Sequence, residues 1–291
     1  MNIVVILNYN DAFNTLKIVN SLVEFNRIDR IIVVDNNSSD DSEKHLQSLN
    51  KKPKIDLIFN KTNNGYSAGN NLGLRYAAKK YKVKNYIISN PDIIISEEDF
   101  NLLVDDIKTD GAKAISGLVA DNKNKIVRNF AWKFPTYYHL FSETTFFTTK
   151  VSEVINKSRF YNFENYDNKI MKVDVLSGCF FIIDGALFES VGFFDETTFL
   201  YGEENLLFKK ISLVTEKVFV DTRVKITHIG GTSTKKSIGS FINRQKILLE
   251  SQKVYILKWL KASKLIMPWY ICCFKIGTFE KYIISKIRNK F

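Results

Sequence analysis

The sequence predicts an α/β protein built on a parallel sheet, and three observations carry that prediction. Apolar runs of strand length recur at Ile3–Leu7, Ile31–Val34, Ile55–Phe59 and Tyr86–Ser89. Helical periodicity fills the intervals between them. Each run ends in a polar turn rich in Asn, Asp and Gly. Strands alternating with helices in this way imply βαβ units with right-handed crossovers.

The elements follow in order. Ile3–Leu7 is continuously apolar, as a strand buried on both faces must be. Phe13, Leu16, Ile18, Val19, Leu22 and Val23 mark the first helix. Ser39-Asp40-Asp41 reads as the start of a second, and Ala68–Tyr81 as a third. The second half is less regular. Ala114–Val119 and Lys125–Phe130 read as strands, while residues 132–170 show no usable period. Val173–Ile183 reads as a strand interrupted by Gly178. Ala186–Val191 is a short helix, and Glu203–Leu213 a longer one. Val218–Val220 and Val224–His228 read as strands, and Gly230-Gly231-Thr232-Ser233-Thr234 as a loop. Residues 238–262 form a basic helix, and 265–288 one or two more.

The chain has 291 residues, 45% hydrophobic and 25% charged, enough for one large core plus an appendage and too apolar for disorder. Its net charge of +11 is concentrated in one place: from Phe241 onward eleven Lys and Arg face only Glu250 and Glu280. A basic partner signal therefore belongs to the tail. Trp259, Trp269, Tyr255 and Tyr270 are mixed into it, which suits a helix lying on an anionic membrane surface. Helices packed on the core with a solvated basic side are the plainer alternative. The pI near 9.3 raises a nucleic-acid-binding reading, but a basic groove would be spread over the fold, so no nucleic-acid partner is expected. Cys179, Cys272 and Cys273 make no disulfide framework and no zinc cluster, which fits a reducing, cytoplasmic setting. The first eight residues lack the basic region of a signal peptide, and no apolar stretch reaches the ~18 residues of a spanning helix.

The candidate chemistry sits in the polar turns, since ligands of such sheets bind beyond the strand C-termini. Asp35 ends the second strand. Ionised, it is an acceptor able to take the N3–H of uracil or thymine; otherwise it simply caps its own turn. The Asn63–Gly73 stretch is a Gly/Asn loop running into a helix, able to bring backbone N–H groups against phosphate or sugar oxygens, or merely to make a tight turn. It is neither a dinucleotide fingerprint nor a P-loop. Asn90-Pro91-Asp92 ends the fourth strand, and Asp92 can hold a divalent cation or form an ordinary turn. Glu203 and Glu204 open a helix whose dipole favours first-turn acids by about 0.3–1 kcal/mol; the same dipole would keep a carboxylate ready to take a proton. His228 at a strand end is a structural residue or a metal and diphosphate contact.

Taken in order, these motifs resemble glycosyltransferase family 2, and within it the bacterial rhamnosyltransferase-like branch. The matching residues are 4–10, 33–40, 64–71, Asn90-Pro91-Asp92, 177–181 and 192–196 through Glu203-Glu204. The resemblance implies a GT-A fold: a Rossmann-like nucleotide-binding sheet, a mixed acceptor-side half and a C-terminal helical segment. The domain is expected at 1–237 and the helical segment at 238–291. The resemblance also implies inverting transfer from a UDP- or dTDP-sugar to an acceptor hydroxyl, with Mg2+ or Mn2+. Asn8 and Tyr9 would line the nucleoside pocket and Asp35 would bind the base. Asn64, Gly65, Asn70 and Asn90 would lie along the donor. Asp92 and His228 would hold the metal, and Glu204, with Glu203 beside it, would be the general base. The acceptor pocket would draw on 132–170. The expected acceptor is a lipid-linked saccharide of bacterial surface polysaccharide synthesis, such as lipopolysaccharide or capsule, met on the inner face of the membrane. Two departures stand out: Asn90 replaces a common Asp, which lowers the charge at the metal, and Glu204 replaces a common Asp, with Leu206 where many members carry another acid. A non-catalytic nucleotide-sugar binder is the alternative that these departures raise, and turnover separates the two.

Overall fold

The computed structural model describes residues 1–109, 111–162, 169–230, 239–263 and 265–288. The chain opens with β1 (Asn2–Asn8), α1 (Ala12–Leu22), β2 (Arg30–Asp35), α2 (Ser42–Leu46), β3 (Ile55–Phe59), α3 (Tyr66–Lys80) and β4 (Asn85–Ser89). These strands pair in parallel in the order β3-β2-β1-β4. The expected βαβ half is therefore present. Ile3, Val4, Val5 and Ile6 are fully buried, as are Ile31, Ile32, Val33 and Val34, which is why these strands read as unbroken apolar runs.

The second half contributes β5 (Ile93–Ile94), α4 (Glu97–Thr109), β6 (Ala114–Ala120), β7 (Ala131–Trp132), α5 (Tyr137–Ser142) and α6 (Phe146–Val154). Then come β8 (Ile170–Lys172), β9 (Val175–Leu176), β10 (Phe180–Asp184), α7 (Gly185–Ser190), α8 (Glu203–Ser212) and β11 (Val218–His228). β10 runs antiparallel between β4 and β6, and β11 lies parallel to β6. β5 and β8 both pair antiparallel with β11, and β7 and β9 form a small sheet of their own. The result is one curled, mixed nine-stranded sheet.

Several expected boundaries move, each for a visible reason. Lys125–Phe130 is not a strand. Asn124, in left-handed backbone, closes a turn on Asp121, and Ile126 makes a single bridge to Ala120 before Phe130 tucks into the core. Val173–Ile183 is two strands, because the chain leaves the small sheet and joins the main one at Gly178-Cys179. Residues 218–228 are one strand with a register shift between Asp221 and Lys225. Residues 132–170, where sequence periodicity failed, hold two short helices capped by Thr136 and Thr145. The loop expected at 230–234 lies, after Gly230, outside the described residues.

The tail is α9 (Phe241–Lys258) and one long α10 (Ile266–Arg288), as the expected basic helix followed by one more. Leu249, Tyr255, Ile256, Tyr270 and Phe274 form a second apolar cluster with Leu140 and Leu206. The Tyr255 hydroxyl donates to the Pro135 carbonyl, Ser251 donates to Leu200 O, and Lys258 is paired with Asp195. Gly277 lets α10 sit against the Thr144 backbone, where an added Cβ would come within 1.9 Å of the carbonyl oxygen. α9 and α10 are thus packed onto the sheet domain.

The main core is aromatic where β10 meets α7. Phe188 is fully buried, with ring centroids of Tyr86, Phe193 and Phe194 within 5.2–5.8 Å. Phe188→Ala is expected to lower the unfolding free energy by about 3–5 kcal/mol, measured by denaturant titration.

Candidate active site

The crevice opens where β1 and β2 end side by side. Asn8 is fully buried and donates to Asp35 Oδ1 at 2.6 Å and to Ser38 Oγ at 3.2 Å. Its own oxygen accepts from Thr15 Oγ1 at 2.7 Å, which settles the orientation of the amide. Asp35, 3% exposed, also accepts from the Ser38 N–H at 3.0 Å and the Ser38 hydroxyl at 2.6 Å. Tyr9 is half-buried beside them, followed by Asn10 in left-handed backbone. Sequence reasoning missed Ser38, although the Asp-x-x-Ser spacing is that of a side-chain-capped turn.

The next wall is the loop before α3. Asn36 donates to Asn63 Oδ1 at 3.0 Å and accepts from Asn60 Nδ2 at 2.9 Å, tying the ends of β2 and β3 together. Gly65 has φ +96°, and a Cβ there would lie 2.1 Å from the Phe199 carbonyl oxygen. Only glycine fits this crossing of two backbones. Asn64 is exposed and donates to Thr62 Oγ1 at 3.2 Å. Asn70 faces inward, 1% exposed. It donates to Tyr66 O at 3.0 Å, and among the described residues its oxygen has no hydrogen-bond partner.

At the end of β4, Asp92 is 5% exposed. Its Oδ1 lies 3.1 Å from His228 Nε2, and its Oδ2 accepts from the Gly230 N–H at 3.1 Å. Pairing β5 with the end of β11 makes this contact, so two residues distant in sequence share one corner. Burial raises the Asp92 carboxyl. The His228 hydrogen bond and charge and the Gly230 N–H together outweigh it, and hold the group below the usual carboxylate range. A carboxylate and an imidazole suit Mg2+ or Mn2+, which take few protein ligands and complete their shells with phosphate oxygens and water. No cluster of three or more His, Cys, Asp or Glu able to hold a metal occurs among the described residues. A cation here would need a diphosphate to complete its shell.

Tyr201 and Gly202 both take left-handed backbone and swing the chain into α8, so that its first turn presents Glu203 and Glu204. Glu204 Oε1 accepts from the Gly178 N–H at 3.2 Å. The Gly178 carbonyl accepts from the Tyr66 hydroxyl at 2.8 Å, and Asn90 Oδ1 is 3.4 Å from the same hydroxyl. The Asn90 N–H in turn donates to Cys179 O at 2.8 Å. Glu203 is 6% exposed, and its Oε2 has no partner among the described residues. Burial raises the Glu203 carboxyl well above the ordinary range, and Glu204 adds to this. Burial also raises Glu204, opposed by its own backbone N–H, that of Gly178 and the charge of Arg159. The Tyr66 phenol is pushed up by burial and then by both glutamates.

Asn90, two residues before Asp92, is therefore linked through Tyr66 and Gly178 to Glu204, and Asn36 joins Asp35 to the Gly65 loop. Asn8, Asp35, Asn90 and Asp92 lie at or just beyond the C-terminal ends of the parallel strands β1, β2 and β4, and Glu204 is tied to the Asn90 side through Gly178 and Tyr66. Tyr66 and Gly178, which link the two halves, lie in the matching stretches 64–71 and 177–181, but the sequence marks neither of them out for a role of its own.

A family profile described as glycosyl transferase family 2 matches residues 3–192. The chain belongs to glycosyltransferase family 2. A curated relative, the low-salt glycan biosynthesis hexosyltransferase Agl10 of Haloferax volcanii, is 24% identical over 204 residues, which make up 69% of this chain and 58% of that protein. The chain thus spans well under two thirds of that relative's length. Solved GT-A structures share the fold. GalNAc-T7 with UDP, GalNAc and Mn2+ superposes with a TM-score of 0.60 at 14% identity, over 92% of this chain and 52% of the other. The mannosyltransferase PcManGT from Pyrobaculum calidifontis, with GDP-Man and Mn2+, gives 0.58 at 14%, over 95% and 73%. TarS 1-349 of S. aureus with UDP-GlcNAc gives 0.55 at 15%, over 94% and 71%.

In this family 2 glycosyltransferase the buried glutamate pair has a measurable signature. The folded state favours the neutral form of Glu203, so its contribution to stability is complete below the unfolded value of about 4.3. It is lost as pH rises through the raised folded value. Glu203→Gln is therefore expected to raise the melting temperature relative to wild type by an amount that grows from pH 4 upward and levels off above that value. Thermal melts across pH 4–9 measure it.

Proposed function

We propose that the protein is an inverting transferase carrying a sugar from a UDP- or dTDP-sugar to a saccharide hydroxyl. The observation that carries this reading is the Glu204 carboxylate, bonded to Gly178 one contact away from the donor-side residues Tyr66 and Asn90. In this reading the nucleoside lies between the ends of β1 and β2, beside Asn8 and Tyr9. Asp35 has one lone-pair position beyond its three internal bonds, which takes the N3–H of uracil or thymine. Asn64, Gly65, Asn70 and Asn90 run along the diphosphate and sugar, and the unpaired Asn70 oxygen accepts a sugar hydroxyl. Asp92 and His228 hold Mg2+ or Mn2+, whose charge, when bound, stabilises the diphosphate leaving group.

The acceptor oxygen attacks the anomeric carbon from the face opposite the diphosphate. The carbon–oxygen bond to the diphosphate breaks, and its electron pair leaves with the nucleotide. The acceptor proton passes to Glu204, which Gly178 orients from the other side. Glu203 stays neutral and buried beneath it, sparing Glu204 a like charge. With Asn90 in place of an acid, Asp92 is the one carboxylate in the proposed cation pair, so the metal site carries less negative charge.

Transfer or donor hydrolysis with Mn2+ and a panel of UDP-, dTDP- and GDP-sugars tests the reading. Glu204→Gln is expected to lower the rate by about 10²–10⁴-fold while UDP affinity persists. The wild-type rate should fall as pH drops through the raised Glu204 value, because only the ionised form accepts the proton. Full activity in Glu204→Gln would remove it as the base, and nucleotide binding without turnover would favour a non-catalytic sugar-nucleotide binder.

The tail supports a second part of the proposal: a lipid-linked acceptor met at the cytoplasmic face of a bacterial membrane, in surface polysaccharide synthesis. No helix among the described residues is long and apolar enough to cross a membrane. α10 nevertheless exposes Trp269, Ile276, Phe279, Ile283 and Ile287 next to exposed Lys275 and Lys286, while Tyr270 and Phe274 face the core. An apolar strip flanked by lysines suits an anionic interface. The Trp269→Ser, Phe279→Ser double variant is expected to lose salt-sensitive binding to phosphatidylglycerol vesicles. Unchanged sedimentation with those vesicles would reject the membrane contact.

A further inference from the structure

Glu204 also lines a pocket of about 100 Å3 bordered by β7, α5, α8 and α9. Trp132, Arg159, Glu204, Asn205, Ser251 and Gln252 are among its walls. Two of these residues come from the tail, more than forty positions past the end of the family match.

The hydrogen bonds inside the walls decide which atoms remain for a ligand. The Trp132 indole N–H donates to Asn205 Oδ1 at 2.8 Å, so the amide NH2 is the group left to Asn205. The fully buried Tyr270 donates its hydroxyl to Gln252 Oε1 at 2.6 Å, so Gln252 too is left its NH2. The Arg159 side chain is 16% exposed, and Glu143 sits at its Nε edge at 2.8 Å. Among the described residues no protein acceptor takes its Nη groups. Its guanidinium is 5.8 Å from the Trp132 ring and 5.0 Å from the Phe160 ring, so it lies among aromatic faces and away from bulk water. The free N–H groups of Arg159, Asn205 and Gln252 are therefore available as donors. The wall also holds acceptors for a sugar hydroxyl, the Glu204 carboxylate and the Ser251 oxygen, so the pocket is two-sided, with the N–H groups of Arg159, Asn205 and Gln252 as its donors. An acceptor-only group gains from every one of those donors.

We propose that this pocket receives an anionic oxygen group, a carboxylate or a phosphate, on the acceptor saccharide, with Arg159, Asn205 and Gln252 as its donors. The inference rests on the transferase reading for the word acceptor, but not for the binding itself. Glu204, at the pocket's edge, faces the reacting hydroxyl, and the anion sits at the Arg159 side, where Glu143 occupies only one edge of the guanidinium. α9 is then part of the acceptor site, since its Gln252 supplies one of the donors.

Calorimetric titration of the full chain loaded with UDP and Mn2+ tests this with three probes: methyl β-D-glucuronide, methyl β-D-glucoside 6-phosphate and methyl β-D-glucoside. At least one anionic probe is expected to bind about tenfold or more tighter than the neutral one, and which anion does so identifies the source. The Arg159→Gln, Glu143→Gln double variant removes both members of the ion pair together. It should erase the preference while UDP affinity is kept. Arg159→Lys, which keeps the charge and loses the fork, should retain part of it. Equal binding of all three probes, no binding of any, or a preference that survives in the double variant overturns the inference. The same titrations report UDP binding separately. If UDP fails to bind, the donor reading fails, and the three probes titrated against the unloaded protein still decide this one.

Discussion

Glu204 reaches the Gly178 N–H because the chain has no side chain at that point: a Cβ on Gly178 would stand 2.7 Å from Glu204 Oε1. The carbonyl of the same glycine accepts the Tyr66 hydroxyl, which lies beside Asn90. A carboxylate from the second half and the polar loops of the first half are thereby joined through a single residue. A second glycine makes the parallel contact, since Gly65 passes against the Phe199 backbone just ahead of Tyr201 and Gly202. A side chain at Gly178 would displace the Glu204 carboxylate, and one at Gly65 would collide with the Phe199 backbone. The geometry of the crevice depends on these two close approaches more than on any charge pair.

The electrostatics of the glutamate pair follow from that packing. Two carboxylates in the first turn of a helix, one of them buried, cannot both ionise at low cost. The deeper one, Glu203, takes the neutral form, and Glu204 has Gly178 and the Arg159 field to favour its charge. The opposite arrangement holds at Asp92, where His228 and a backbone N–H stabilise the anion. One end of the crevice is thus disposed to keep negative charge and the other to take up a proton. That asymmetry is what a displacement with base assistance needs.

The tail braces this arrangement. Ser251 bonds to Leu200 O and Lys258 is paired with Asp195, so α9 grips the segment leading into Glu203 at two points. Its inner face shares a cluster with Leu206 of α8. The outer face of α10 stays apolar and basic. A helical pair that holds the glutamate loop on one side and offers an interfacial strip on the other joins, in the proposed reading, acceptor delivery to the geometry of the base.

The sequence by itself determined the parallel half of the sheet and the residues at its polar ends. Buried parallel strands must be continuously apolar, and the turns after them must carry the polar groups, so both are written locally. Asn8, Asp35, Asp92, Glu203, Glu204 and His228 were all legible on that basis and through the ordered motifs of the family. Residues 125–170 were not, because short helices and single bridges set by tertiary packing leave no period in the chain. Only the tertiary structure decided that β10 enters antiparallel between β4 and β6, and that β11 brings His228 to Asp92. The same holds for Gly178 joining Glu204 to Tyr66, and for α9 closing a pocket over Trp132. Each of these joins, through space, residues that lie far apart in sequence, 26 positions for Gly178 and Glu204 and 112 for Tyr66 and Gly178, where the partner's identity fixes the contact and the local pattern carries no trace of it.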